Sequence, residues 1–192
     1  MQVHINRREL LRLGAAGSAA YLTSPYAWAR GAQIERNRLI SPGCRRSKVK
    51  VAKIYLGVQG SHYPNPDLDM KKEVQFYESQ FTELKDELSD VEFVVNELVS
   101  SVDQLNKWKD TLKEADGILA IHLSLWTMPV FEEILRLERP TMVFSVPYSG
   151  HEWHPLSALY KRKEGTNFEC ILTSDHKQLA AAIRPFRAIH HL

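Results

Sequence analysis

Two short stretches hold the residues best suited to chemistry: His122-Leu123-Ser124-Leu125-Trp126-Thr127 and Pro147-Tyr148-Ser149-Gly150-His151-Glu152-Trp153. Each interleaves hydrogen-bonding groups with aromatic rings. That mixture suits a polyhydroxylated ligand: ring faces cover the apolar side of a sugar, while hydroxyl, imidazole and carboxylate groups meet its hydroxyls. The candidate ligand-facing residues are therefore His122, Ser124, Trp126, Tyr148, Ser149, His151 and Glu152, with Gln59 and His62 completing a rim. Each has a plainer alternative. His122 ends an apolar run and fits a satisfied structural histidine equally well. Trp126 and Trp153 fit rings that pack loops onto a core.

Other chemistry is excluded by spacing. No G-x-G-x-x-G follows the first apolar run, where Gly57 and Gly60 stand, so a dinucleotide site is disfavoured. There is no P-loop and no G-x-S-x-G elbow. The missing phosphate loop also weighs against a redox or flavin domain. His151-Glu152-Trp153-His154 is not H-E-x-x-H, and no third ligand is evident for its two histidines. The carboxylates are scattered at positions that suit solvated helix faces. The sequence thus offers no catalytic constellation, no metal set and no cofactor motif of its own. Of the two cysteines, Cys170 falls in an apolar run and reads as a buried, inert thiol. Cys44 follows Ser41-Pro42-Gly43, a poor match to a lipoprotein box because Ser41 stands where an apolar residue is wanted. Two cysteines are too few for a disulfide framework.

The elements that must position these loops follow from periodicity. Lys50–Val58, Val91–Val95, Gly117–Leu123, Thr141–Val146 and Phe168–Leu172 are short apolar, β-branched runs, hence strands. Between them, apolar residues recur at helical spacing. One stripe is Val74, Tyr77, Phe81, Leu84 and Leu88; another is Leu105, Trp108, Leu112 and Ala115; a third is Leu179, Ile183, Phe186 and Ile189. Ser101 with Gln104 and Asp175 with Gln178 have capping spacing, Thr127 can cap a helix carrying Pro129 in its first turn, and a short helix can start near Pro155. Alternating strands and helices predict an α/β domain: a doubly wound, mostly parallel sheet of the Rossmann/flavodoxin-like type. In such a sheet ligands bind beyond the carboxyl ends of the strands, where both loop stretches fall.

Charge divides the chain. Residues 1–50 carry 10 of the 25 Lys/Arg and 2 of the 23 Asp/Glu, leaving 15 and 21 for the rest. Residues 51–192 are therefore acidic, which argues against a nucleic-acid partner. At the amino end, Asn6-Arg7-Arg8-Glu9-Leu10-Leu11-Arg12 resembles the twin-arginine export motif, a weakly apolar stretch from Leu13 to Leu22 follows, and Ala27-Trp28-Ala29 fits a small-x-small cleavage site. The expected organisation is a signal peptide over 1–29 with Arg7 and Arg8 as its recognition pair and Ala27 and Ala29 flanking cleavage, a basic linker over 30–49, and an α/β domain over 50–192. The motif implies the twin-arginine translocase as a partner and a periplasmic or extracellular destination.

The stretch from Asp116 to Trp153 (DGILAIHLSLWTMPVFEEILRLERPTMVFSVPYSGHEW) resembles the first domain of L-fucose/L-arabinose isomerase-like proteins, best over 116–153 and loosely over 50–192. Shared features are a strand ending in a polar turn, a solvent-facing helix, and Pro-Thr leading a strand into a polar, aromatic loop. The resemblance implies an aldose–ketose isomerase that uses a divalent metal such as manganese, held by acidic and histidine residues of later domains. Nothing here matches that ligand set, so no catalytic residue carries over, and the chain is expected to stop short of a following domain. The resemblance also implies a homo-oligomer, in which such a surface can help to close a neighbouring subunit's active site. The alternative expectation is a non-enzymatic exported module that binds a sugar or polyol.

Overall fold

A computed structural model of the protein describes residues 47–147 and 167–191. The signal residues Arg7, Arg8, Ala27 and Ala29, the linker residue Cys44, the loop residues Tyr148, Ser149, His151 and Glu152, and the helix expected near Pro155 lie outside the described residues.

Five strands form one sheet: β1 (Val49–Leu56), β2 (Val91–Val99), β3 (Gly117–His122), β4 (Thr141–Ser145) and β5 (Phe168–Leu172). All neighbours pair in parallel, in the order β2-β1-β3-β4-β5. Parallel neighbours require crossovers; the described helices supply the first three, between β1 and β4, and a last helix follows β5. These helices are α1 (Met70–Glu83), α2 (Val102–Asn106), α3 (Lys109–Glu114), α4 (Met128–Leu135) and α5 (Gln178–His190). The doubly wound α/β architecture read from the sequence is the one found, with every strand pairing parallel.

Burial explains why these segments are strands. All six residues of β3 are buried, as a central strand covered on both faces demands. Its odd positions Leu119 and Ile121 join Val51 and Tyr55 of β1 in one core with Tyr77 and Phe81 of α1 and Leu179, Ile183 and Phe186 of α5. The even positions Ile118 and Ala120 join Ala52, Ile54 and Leu56 in a second core beneath Leu105 of α2, Leu112 of α3 and Val130, Phe131 and Ile134 of α4. One sheet thus separates two cores, each roofed by its own helices.

Local signals set the helix ends. Asp69 caps α1 by accepting Lys71 N–H (3.0 Å) and Lys72 N–H (3.3 Å) on Oδ1. Ser101 caps α2 through Gln104 N–H (3.4 Å), while Gln104 Oε1 reaches back to Ser100 N–H at 2.8 Å. The stripe through Leu105, Trp108 and Leu112 is split: α2 closes at Lys107 and α3 opens after Trp108. Thr127 precedes α4 but makes no side-chain cap; its hydroxyl donates back to Ser124 O at 3.5 Å. Leu84 and Leu88 are buried in the turns that follow α1 rather than in the helix. At the amino end of the sheet, Arg187 of α5 grips Asp90 with two bonds, Nε–Oδ2 at 2.8 Å and Nη2–Oδ1 at 2.6 Å, and His190 lies 3.0 Å from Asp116. These contacts fix α5 across the first core. No helix among the described residues is long and apolar enough to cross a membrane.

Candidate functional site

After β1 the chain turns to one side to make β2, while β3 lies on the other side of β1. The loops leaving β1 and β3 therefore flank the switch point, where such sheets form the crevice that holds ligands. The sequence places Gln59 and His62 in the first loop and Ser124 and Trp126 in the second.

The two loops are sewn together by buried polar groups. Leu123 N–H donates to Leu56 O at 2.8 Å, and Leu125 N–H reaches Tyr63 O at 3.4 Å. Ser124 is wholly buried; its Oγ accepts Val58 N–H at 2.8 Å and lies 3.3 Å from both Val58 O and Leu125 O. Both functions of that hydroxyl are thus spent on backbone, which makes Ser124 a brace between the loops. Gln59 is engaged in the same way. Its Nε2 donates to Leu68 O (2.8 Å) and its Oε1 accepts Met70 N–H (3.3 Å). His122, level with Leu56 of β1 and Ser145 of β4, is 3% exposed.

Trp126 is the opposite case. It stands at φ 72°, a left-handed backbone, and is 55% exposed. A bulky side chain rarely adopts that region, and doing so costs about 1–2 kcal/mol. The braced loop holds the indole outward in spite of this. The exposed His62 ring meets it edge-on, with centroids 5.0 Å apart. Two residues from different loops therefore make one aromatic platform at the mouth of the crevice.

A cavity of about 320 Å³ that sequence reasoning did not find lies at the ends of β3 and β4, and neither His62 nor Trp126 lines it. Pro64 and Leu68 bring the first loop to it, His122 and Leu123 the end of β3, and Val146 and Pro147 the end of β4. Its far wall is Glu73, Phe76 and Tyr77 of α1 with His176 from the turn after β5. The rings there interlock edge to face: His176 lies 4.9 Å from Phe76 and 5.5 Å from Tyr77. Phe76 stays 43% exposed at the rim. Burial, seconded by the Glu73 carboxylate, pushes the Tyr77 hydroxyl well above the usual phenol range, so it remains a neutral donor. The only sequence signal for this wall was the helical stripe that named Tyr77; the topology alone unites it with His176.

The start of α1, where this kind of fold would hold a phosphate, is already satisfied by the protein. Gln59 takes Met70 N–H, Asp69 Oδ1 takes Lys71 and Lys72 N–H, and Asp69 O takes Glu73 N–H (3.0 Å). A carboxylate thus sits where an anion would bind. Among the described residues, no three of His, Cys, Asp and Glu come together to hold a divalent metal such as manganese.

Of the residues singled out from sequence, the structure brings His62 and Trp126 together, seals Ser124 between the loops, and sets His122 at the base of the crevice. The chain matches no protein-family model and no curated protein sequence.

Proposed function

We propose that this protein is exported by the twin-arginine pathway and that its α/β domain binds a sugar or polyol at the carboxyl ends of β1, β3 and β4. It would do so as the N-terminal domain of an isomerase-like protein of the L-fucose/L-arabinose type, with the catalytic and metal-binding residues lying outside this chain. The observation that carries the reading is Trp126. A strained, braced backbone presents an indole to solvent, in the loop whose first residue, Leu123, lines a ring-sized cavity. Backbone strain that persists at a crevice is a mark of function. Flat aromatic faces suit the C–H face of a pyranose. A cavity of about 320 Å³ sits at the lower end of ligand-site volumes, which span roughly 300–1,000 Å³, and so suits one ring.

The test is a titration of the full chain with a panel of aldoses, ketoses and alditols, followed by tryptophan fluorescence and ligand-observed NMR. Saturable binding of at least one member, lost in Trp126→Ala, is expected. Absence of binding across the panel, or binding indifferent to Trp126→Ala, overturns the reading. Export is tested separately: residues 1–35 fused to a reporter active only after folded export should drive translocation, and replacing Arg7 and Arg8 together by Lys should abolish it.

A further inference from the structure

Building on the sugar-binding reading, we infer that the cavity at the carboxyl ends of β3 and β4 accepts uncharged or amino-bearing rings and turns away phosphorylated or carboxylated ones, with Glu73 as the residue that decides. Three observations lead there. First, among the described residues the charge that lines the cavity is negative: Glu73 projects from α1 among Pro64, Leu68, Phe76, Leu123 and Val146, and none of the described lining residues is a lysine or arginine. Second, every amide of the first turn of α1 is taken by Gln59 or Asp69, so the helix offers an anion no free donor and sets a second carboxylate at its approach. Third, the remaining polar groups of the far wall, the Tyr77 hydroxyl and the His176 imidazole, can serve a neutral hydroxyl as donor or acceptor without a compensating charge.

The physical consequence is selection by repulsion. A phosphate brought into this apolar surround would meet Glu73 at reduced dielectric, where like charges oppose each other more strongly than in water. A ring hydroxyl meets the same carboxylate as a hydrogen-bond acceptor, and an ammonium meets it as a counter-ion. Specificity of this kind rests on a penalty against the wrong ligand as much as on contacts to the right one.

The experiment uses the full chain and the best-binding neutral hexose of the panel above, compared with its 2-amino, 6-phosphate and uronate derivatives by isothermal titration. The neutral and amino sugars should bind at least tenfold more tightly than the phosphate and the uronate. Glu73→Gln should cut that ratio at least threefold. In the unmodified protein, raising salt from 20 to 300 mM should narrow it too, because screening weakens the repulsion. The salt arm needs no variant, so it decides the matter even if Glu73→Gln folds poorly. Equal or tighter binding of the phosphate overturns the inference while leaving sugar binding intact, and so does a ratio indifferent to both Glu73→Gln and salt. If no sugar of the panel binds, the underlying reading falls and takes this one with it.

Discussion

Lys53 Nζ lies 2.5 Å from Glu78 Oε1 in the first core, with the Phe81 and Phe93 rings 4.0 and 4.5 Å from the ammonium. Lys53 is in the middle of β1 and 2% exposed; Glu78, on α1, is about one-third exposed and also accepts the Tyr55 hydroxyl. Burial lowers the Lys53 pKa, and the Glu78 carboxylate works against that shift. The ammonium thus depends on one carboxylate and two ring faces.

Removing either partner should have opposite effects. Glu78→Gln strands a buried ammonium and should cost about 3 kcal/mol, the low end for a broken buried pair because water reaches Glu78. Lys53→Met keeps the volume, removes the charge and leaves Glu78 bonded to Tyr55, so stability should hold or rise. Urea midpoints of the two variants check this. A Glu78→Gln protein as stable as the parent would show that the pair contributes nothing.

Alkaline pH should unfold the domain in a defined order. Burial, with Glu169 nearby, pushes the Cys170 thiol from 9.0 up to about 12. Between those values the unfolded chain holds fewer protons than the folded one, so stability falls as pH rises. Tyr55 and Tyr77, both raised above 10.0 mainly by burial, add the same sign from pH 10 upward. Lys53 opposes them up to its unfolded value of 10.5, since the unfolded chain keeps that proton longer. The midpoint of denaturation should therefore drop steeply above about pH 10.5. Cys170→Ala should flatten the first part of the fall, between pH 9 and 10. A flat profile to pH 11 would contradict the buried placement of the two tyrosines and the half-buried placement of Cys170.

The brace at Ser124 predicts a structural phenotype. Ser124→Ala leaves Val58 N–H without its acceptor, a loss of about 1–3 kcal/mol. It also frees the loop that presents Trp126. Thermal stability should fall by that amount, and sugar binding, measured well below the midpoint, should weaken with it. Unchanged stability with lost binding would instead place the hydroxyl on the ligand.

Much of this was legible before the fold was known. The apolar runs at Gly117–Leu123 and Thr141–Val146 contain β3 and β4, and the crossover lengths predicted parallel pairing. What escaped was of two kinds. Polar residues misled where an edge strand tolerates them: β2 runs on to Val99 because Asn96 and Glu97 face outward enough to stay solvated. Pro185 would argue against a helix through that position, yet Leu179, Ile183 and Phe186 bury so completely that packing prevails over the lost hydrogen bond. The second kind is long-range. Lys53 looks like an ordinary strand lysine until α1 delivers Glu78 above it. Glu73, Phe76 and His176 belong to elements that only the sheet order brings to one cavity. Nothing local to any of them marks the site.

Trp126→Gly sets the two roles of that residue against each other. At φ 72° the tryptophan carries a cost of about 1–2 kcal/mol that glycine avoids, whereas glycine loses about 0.5–1 kcal/mol through its freer unfolded chain. The edge contact to His62, worth about 0.5–1.5 kcal/mol, is also lost. The residue is 55% exposed, so roughly 100 Å² of its surface also loses its burial, about 2–3 kcal/mol. The losses outweigh the relief by about 1–4 kcal/mol, so the thermal midpoint should fall by several degrees, at roughly 2–4 °C per kcal/mol for a domain of this size. Sugar binding should vanish, because the platform is gone while the loop keeps its shape. Trp126→Asn, which tolerates the same backbone, should behave alike. Binding retained in both variants, by whatever protein stays folded, would mean that the indole serves only to hold the loop and that the ligand sits elsewhere.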